Sequence, residues 1–167
     1  MPEFIIYPEW KKPPFYQEDA VSIQPGTAGW EKEMSHYPYL AEIAVQNGYA
    51  DFALWEDPFP AIEHWQLHWQ HIKTEIKIHI AAGEGERAFP LMIPAISGLI
   101  ESMFWLNGRP ASLHAGSWDE LNILPVNGKE RIEFICSRPV HHHSFAQLNE
   151  LYEEVRRKAA VLKQRRT

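Results

Sequence analysis

Residues 61–82 read AIEHWQLHWQHIKTEIKIHIAA. Within them Ile62, Trp65, Trp69, Ile72, Ile76 and Ile80 recur at spacings of three and four, the interval that places side chains on one face of an α-helix. A half-buried strand would instead alternate at every second residue, and this stretch does not. The spacing predicts an amphipathic helix from about Ala61 to Ala82 whose stripe of indoles and isoleucines faces a core. Gly83-Glu84-Gly85-Glu86 follows as its stop.

The next segment, from Pro90 or Pro94 to the stop at Asn107-Gly108, is apolar almost all round. A helix with no polar face belongs in the middle of a bundle. Three short acceptors then stand three residues ahead of a Glu or Gln, the spacing of a capping box: Ser117 with Glu120, Asn127 with Glu130, and Ser144 with Gln147. The helices they open are expected to stop at Pro125, to end before Pro139, and to run on to the C-terminus. On the N-terminal side, Ser35 is expected to cap a helix reaching Asn47-Gly48, and residues 51–60 read as a loop. Residues 1–29 hold five prolines together with Phe4, Tyr7, Trp10, Phe15 and Tyr16. That composition predicts an extended aromatic arm packed on the body. The fold expected is all-α: a single-domain bundle of five or six helices over residues 30–167, preceded by the arm at 1–29.

Composition narrows the function classes. The chain has 167 residues, 45% hydrophobic and 13% aromatic with seven Trp, enough apolar area for one real core. One Cys leaves no disulfide framework and no thiolate zinc ribbon. The most apolar run, residues 88–100, is interrupted by Pro90, Pro94 and Gly98, ends at Glu101, and is shorter than the ~20 residues of a membrane span. The first ten residues lack the basic start and small-residue cleavage site of a secretory signal. The protein is therefore expected to be cytoplasmic and to make no membrane contact. Net charge is −6, divided as −8 over residues 1–100 and +2 over residues 101–167. Arg156, Arg157, Lys158, Lys163, Arg165 and Arg166 gather in the last helix. Such a cluster complements the helix dipole, and it also fits an acidic partner or nucleic-acid phosphate.

Two groups of residues could carry chemistry. His64, His68, His71 and Glu75, continued by His79, share one sector of the long helix. Imidazoles one turn apart can share a divalent metal such as zinc, and the same residues also make an ordinary polar border to an apolar face. Trp65 stands where a hydrolytic zinc helix carries its Glu. The adjacent His141, His142 and His143 precede a helix start, where they could supply a further ligand or form a polar loop. Arg109 and Arg138 fall at helix ends, with Lys129 and Arg131 nearby; they could grip a carboxylate or phosphate, or cap carbonyls. Cys136 lies between Ile135 and Ser137, the place of a small core side chain. No nucleophile elbow and no phosphate-cradling loop occurs, so a non-enzymatic reading is preferred and no cofactor is required.

Leu106-Asn107-Gly108-Arg109-Pro110, Leu124-Pro125-Val126-Asn127-Gly128-Lys129-Glu130-Arg131, Phe134-Ile135 with Arg138-Pro139, and Phe145-Ala146-Gln147-Leu148-Asn149-Glu150-Leu151 together resemble the YpoC-like family of bacilli. The resemblance runs over roughly residues 60–165. It implies a small helical cytoplasmic protein of Gram-positive bacteria, with a hint of chromosome maintenance, and it brings no catalytic residues. Function is accordingly expected to be protein interaction through the aromatic arm, the basic last helix, or both. The alternatives are a metal-binding bundle on the His stripe and nucleic-acid contact through Arg156, Arg157, Lys158, Arg165 and Arg166.

Overall fold

A computed structural model of the protein describes residues 3–23 and 31–166. Its elements are β1 (Glu3–Ile5), β2 (Ala20–Ser22), α1 (Glu31–Met34), α2 (Leu40–Gln46), α3 (Phe59–Ala81), α4 (Gly85–Trp105), α5 (Gly128–Ser137) and α6 (His142–Arg165). Single 3-10 turns stand at Pro8–Lys11, Ala50–Phe52, Leu54–Glu56 and Ser117–Glu120. The architecture is the expected helical bundle, six helices with a small two-stranded N-terminal pair. The boundary drawn between residues 29 and 30, with Pro2, Pro25, Gly26 and Gly29, lies outside the described residues.

The long helix forms where its periodicity places it, with Ile62, Trp65, Trp69, Ile72 and Ile76 buried. It begins earlier than Ala61. Phe59 and Pro60 belong to its first turn, where a proline sacrifices no intrahelical hydrogen bond. α4 departs further from expectation: it starts at Gly85 and carries both Pro90 and Pro94 inside it. Each interior proline costs about 3 kcal/mol relative to alanine. Burial of Ala88, Met92 and Ile93 opposes that cost, at about 1.5–3 kcal/mol for each large side chain. Glu101, read from sequence as the end of the apolar run, is itself buried in the core. α4 has the length and apolarity of a membrane span, yet its most apolar window is 83% buried within the bundle.

The caps also need correction. Ser35 opens no helix; its hydroxyl donates to Glu31 O at 3.3 Å, and the chain breaks into α1 and α2. None of the three capping boxes forms as a box. Ser117 starts only a 3-10 turn and donates to the carbonyls of Ser112 and His114. Asn127 does precede α5, but through a left-handed backbone (φ 55°) and without a side-chain bond. Ser144 lies inside α6 and donates to Arg138 O at 2.6 Å, while His141 takes the capping position. The two serine hydroxyls found other acceptors, because local acceptors compete with the cap. The strands were missed because three residues are too few for alternation to show. β1 pairs antiparallel with β2, Phe4 opposite Val21.

At the centre Trp65 lies flat against α4. A Cβ added at Gly98 would stand 2.3 Å from Trp65 Cδ2, so the indole occupies the space of a side chain that glycine lacks. One turn further on, Trp69 stacks on Tyr152 of α6 with ring centroids 4.9 Å apart and donates to Asn149 Oδ1 at 3.0 Å. Tyr152 in turn donates its hydroxyl hydrogen to Ala95 O of α4 at 2.5 Å. These contacts lock α3, α4 and α6 together. The N-terminal segment is held by Trp10, which stacks on Tyr39 and donates to Gln46 Oε1 at 2.7 Å.

Two carboxyl groups are enclosed in this core. Glu42 of α2 is 3% exposed and Glu101 of α4 is 1% exposed. Glu42 Oε2 accepts from Trp105 Nε1 at 2.8 Å and from the Ala111 amide at 3.1 Å. The two carboxyls face each other closely enough that a proton on one can bridge to the other. Among the described residues no other group donates to Glu42 Oε1 or Glu101 Oε2. Burial first, and then the neighbouring Glu42 charge, holds the Glu101 carboxyl well above the ordinary range.

Two outcomes follow from this packing. Gly98→Ala is expected to destabilise the fold by about 1–3 kcal/mol or more through overpacking against Trp65, read as a lower urea midpoint at unchanged slope. Because folded Glu101 keeps a proton that the unfolded chain releases above its ordinary value of 4.5, wild-type stability falls as pH rises from there toward the raised folded value. The slope contributed by this one proton is at most about 1.4 kcal/mol per pH unit. Glu101→Gln keeps a donor toward Glu42 without a titrating proton. Its stability relative to wild type should therefore increase as pH rises above about 5 in parallel urea titrations, by no more than that slope.

Candidate functional site

The histidine stripe of α3 divides into two parts. His64 and His68 lie parallel, 8° apart in plane with centroids 6.3 Å apart. His64 Nε2 is buried without a hydrogen-bond partner. Burial lowers the affinity of the His64 ring for a proton. The His68 ring is held down to about 4, by burial first and then by the charges of His64, His36 and His71. These rings are therefore neutral at physiological pH. His71 and Glu75 are exposed, and His79 sits between two carboxylates, 3.6 Å from Glu75 and 3.4 Å from Glu84. Among the described residues the ligand atoms of His64, His68, His71 and Glu75 do not gather around one point, whereas those of His141, His142 and His143 do. His36, distant in sequence, is brought near His68 only by the fold.

The arginines are drawn to separate acids. Arg109 pairs with Glu120 at 2.6 Å on the surface. Lys129 reaches Glu133 at 4.0 Å along its own helix. Arg131 joins α5 to α6: Nε donates to Gln147 Oε1 at 2.8 Å, and Nη2 lies 2.8 Å from Glu154 and 3.6 Å from Glu150. Its guanidinium is thus committed to holding the two helices. Arg138 is exposed, and its carbonyl accepts from the Ser144 hydroxyl and the His141 amide. Cys136 is half-buried, and burial pushes its thiol up to about 12, so it stays protonated at neutral pH.

The basic end of α6 frames a different arrangement. A groove of about 350 Å³ runs between α3 and α6, with Phe59, Ile62, Leu67 and Ala159 among its apolar lining and Arg156 and Lys163 on its α6 side. Leu67 is 65% exposed there. The Arg166 guanidinium lies 5.2 Å over the Phe59 ring, adding a third cation at the same end. Arg156 is paired with Glu153. Arg157, Lys158, Lys163 and Arg165 form no ion pair among the described residues. Sequence reading found the cations but not the groove. Leu67 and Phe59 lie off the buried stripe of α3, and only the docking of α6 turns that side of the helix into a wall.

Comparison with known proteins adds a family. Residues 60–167 match the YpoC-like protein family. An uncharacterized protein, YpoC of Bacillus subtilis (strain 168), is 29% identical over 108 residues, 62% of this chain and 65% of its own length. No solved structure matches. The matched region begins in the first turn of α3 and takes in the groove apart from Phe59, the elbow between α5 and α6, and the clasp of α3 on α4. On that coverage the chain belongs to the YpoC-like family.

Proposed function

We propose that the protein is a non-enzymatic interaction module whose α3–α6 groove receives an acidic, amphipathic helix of a protein partner. The observation that carries this reading is the exposed Leu67 beside an apolar lining, framed by Arg156, Lys163 and Arg166. An amphipathic helix buries its apolar face in such a groove, and its acidic flanks meet the cations. Glu63 lines the groove and Glu153 pairs with Arg156, so Lys163 and Arg166 carry the positive balance toward an acidic helix. A link to chromosome maintenance rests on the family resemblance alone.

A labelled helical peptide of about 18 residues, alternating Leu and Glu at i, i+3 and i+4 spacing, serves as the probe in fluorescence anisotropy. Wild-type protein should bind it, and Leu67→Asp combined with Lys163→Glu should weaken binding by at least about tenfold, the effect of losing about 1.4 kcal/mol at an interface hot spot. Both side chains are exposed, so the fold should be retained. A duplex DNA of equal charge is run alongside. Tighter binding to DNA than to the peptide, falling steeply with salt, would replace this reading with nucleic-acid contact.

A further inference from the structure

The elbow between α5 and α6 brings three imidazoles together. Successive residues on a helix point about 100° apart, so three adjacent histidines inside one helix would fan outward. Here His141 precedes the first turn in extended backbone (φ −82°, ψ 146°), and only His142 and His143 have entered the helix. That change of backbone direction turns the rings toward one another. Centroids are 4.3 Å apart for His141 and His142, 4.1 Å for His142 and His143, and 5.1 Å for His141 and His143. One ring nitrogen from each lies within 4.8 Å of the others. The elbow itself is fixed from below, because Arg138 O accepts from both the His141 amide and the Ser144 hydroxyl.

We infer that His141, His142 and His143 form a surface site for one divalent first-row transition ion of the zinc or nickel type. Nitrogen–metal bonds of about 2.0–2.1 Å hold three ligand nitrogens about 3.3 Å apart in a tetrahedral set, which small rotations of half-buried His141 and exposed His142 and His143 supply. A set of imidazoles without a carboxylate selects zinc, nickel, copper or cobalt over magnesium and calcium. Water completes the coordination. The ion has one competitor: His141 Nδ1 already accepts from the His143 amide at 3.2 Å. A metal on Nδ1 takes that lone pair directly. A metal on Nε2 moves the ring proton to Nδ1. By either route the His143 amide loses its cap, so metal binding must register at that N–H. The dipole of α6 and the nearby Arg138 oppose a cation here, which sets the expected affinity at the micromolar level, weaker than closed structural zinc sites.

The test uses tag-free full-length protein, with zinc and nickel chlorides as separate probes and magnesium chloride as the control. Isothermal titration should give one ion per chain for zinc and for nickel, and none for magnesium. Nitrogen-15 spectra should show the His143 amide shifting as the ion binds. Losing outer-shell partners alone weakens metal sites by about 10–100-fold, so the double variant His142→Ala, His143→Ala should lose at least about 100-fold in affinity. Both rings are exposed, and metal-free circular dichroism should match wild type; His142→Asn with His143→Asn repeats the comparison in polar form. The double variant His64→Ala, His68→Ala should bind as wild type does. The inference falls if zinc and nickel fail to bind at about 100 µM free ion, a concentration that would saturate a micromolar site. It also falls if the ion binds equally well to the His142 and His143 variants, or is lost with His64 and His68.

Discussion

Trp65 pressed against the backbone of α4 at Gly98 sets the distance between the two longest apolar surfaces of the protein. An indole with no side chain opposite brings the two helices closer than ordinary side-chain interdigitation allows. Everything outward from that contact inherits its geometry. Trp69, four residues later, meets Tyr152 face to face because the axis of α3 is already fixed. Tyr152 reaches Ala95 O and so ties α6 to α4. The helix that forms the wall of the groove is thus held in place from the inside.

The same core solves a polar problem with aromatic donors. Trp10, Trp69 and Trp105 each bury an apolar ring and give their N–H to Gln46, Asn149 and Glu42 respectively. Such pairing is what makes a buried indole or a buried carboxyl tolerable. Trp65 is the exception, its Nε1 buried without a partner where the ring meets the glycine. Close contact with the helix backbone has there displaced hydrogen bonding, a cost of order 1–3 kcal/mol set against the packing of the whole ring. The pair of Glu42 and Glu101 is the second concession, and its proton stands in for a missing donor.

The fold was legible in the sequence wherever a single period ran unbroken. Ile62 to Ile76 announced α3, and the apolar run around Leu99 announced a central helix, because burial on one side or on all sides leaves its mark on spacing. Boundaries were less legible. Pro90 and Pro94 look like starts, but burial of the neighbouring residues outweighs the exposed Pro90, and Pro94 is itself buried in the core. Ser117, Asn127 and Ser144 look like caps, yet each short side chain chose an acceptor or a backbone state that only the fold supplies. The candidate site was legible in composition alone: the histidines and the basic end of α6 were visible, but their grouping was not. Spacing placed His64, His68 and His71 on one face without bringing their ligand atoms to one point. The His141–His143 gathering depends on an extended backbone residue just ahead of a helix. Glu101 was the clearest missed signal, a lone acid inside a helix with no polar face to receive it.

Asn47, at the end of α2, has a quieter consequence. Its amide oxygen accepts from the Ile5 N–H at 2.9 Å and its amide nitrogen donates to Ile5 O at 3.0 Å, so one side chain imitates a neighbouring strand. β2 lies along the opposite side of β1. The peptide groups of Ile5 that would otherwise face open water are thereby occupied. A three-residue ribbon with an exposed isoleucine is the kind of edge on which a second chain can nucleate by strand addition, and a single amide closes it. Asn47 thus acts as a guard against self-templated growth as well as a stop to its helix.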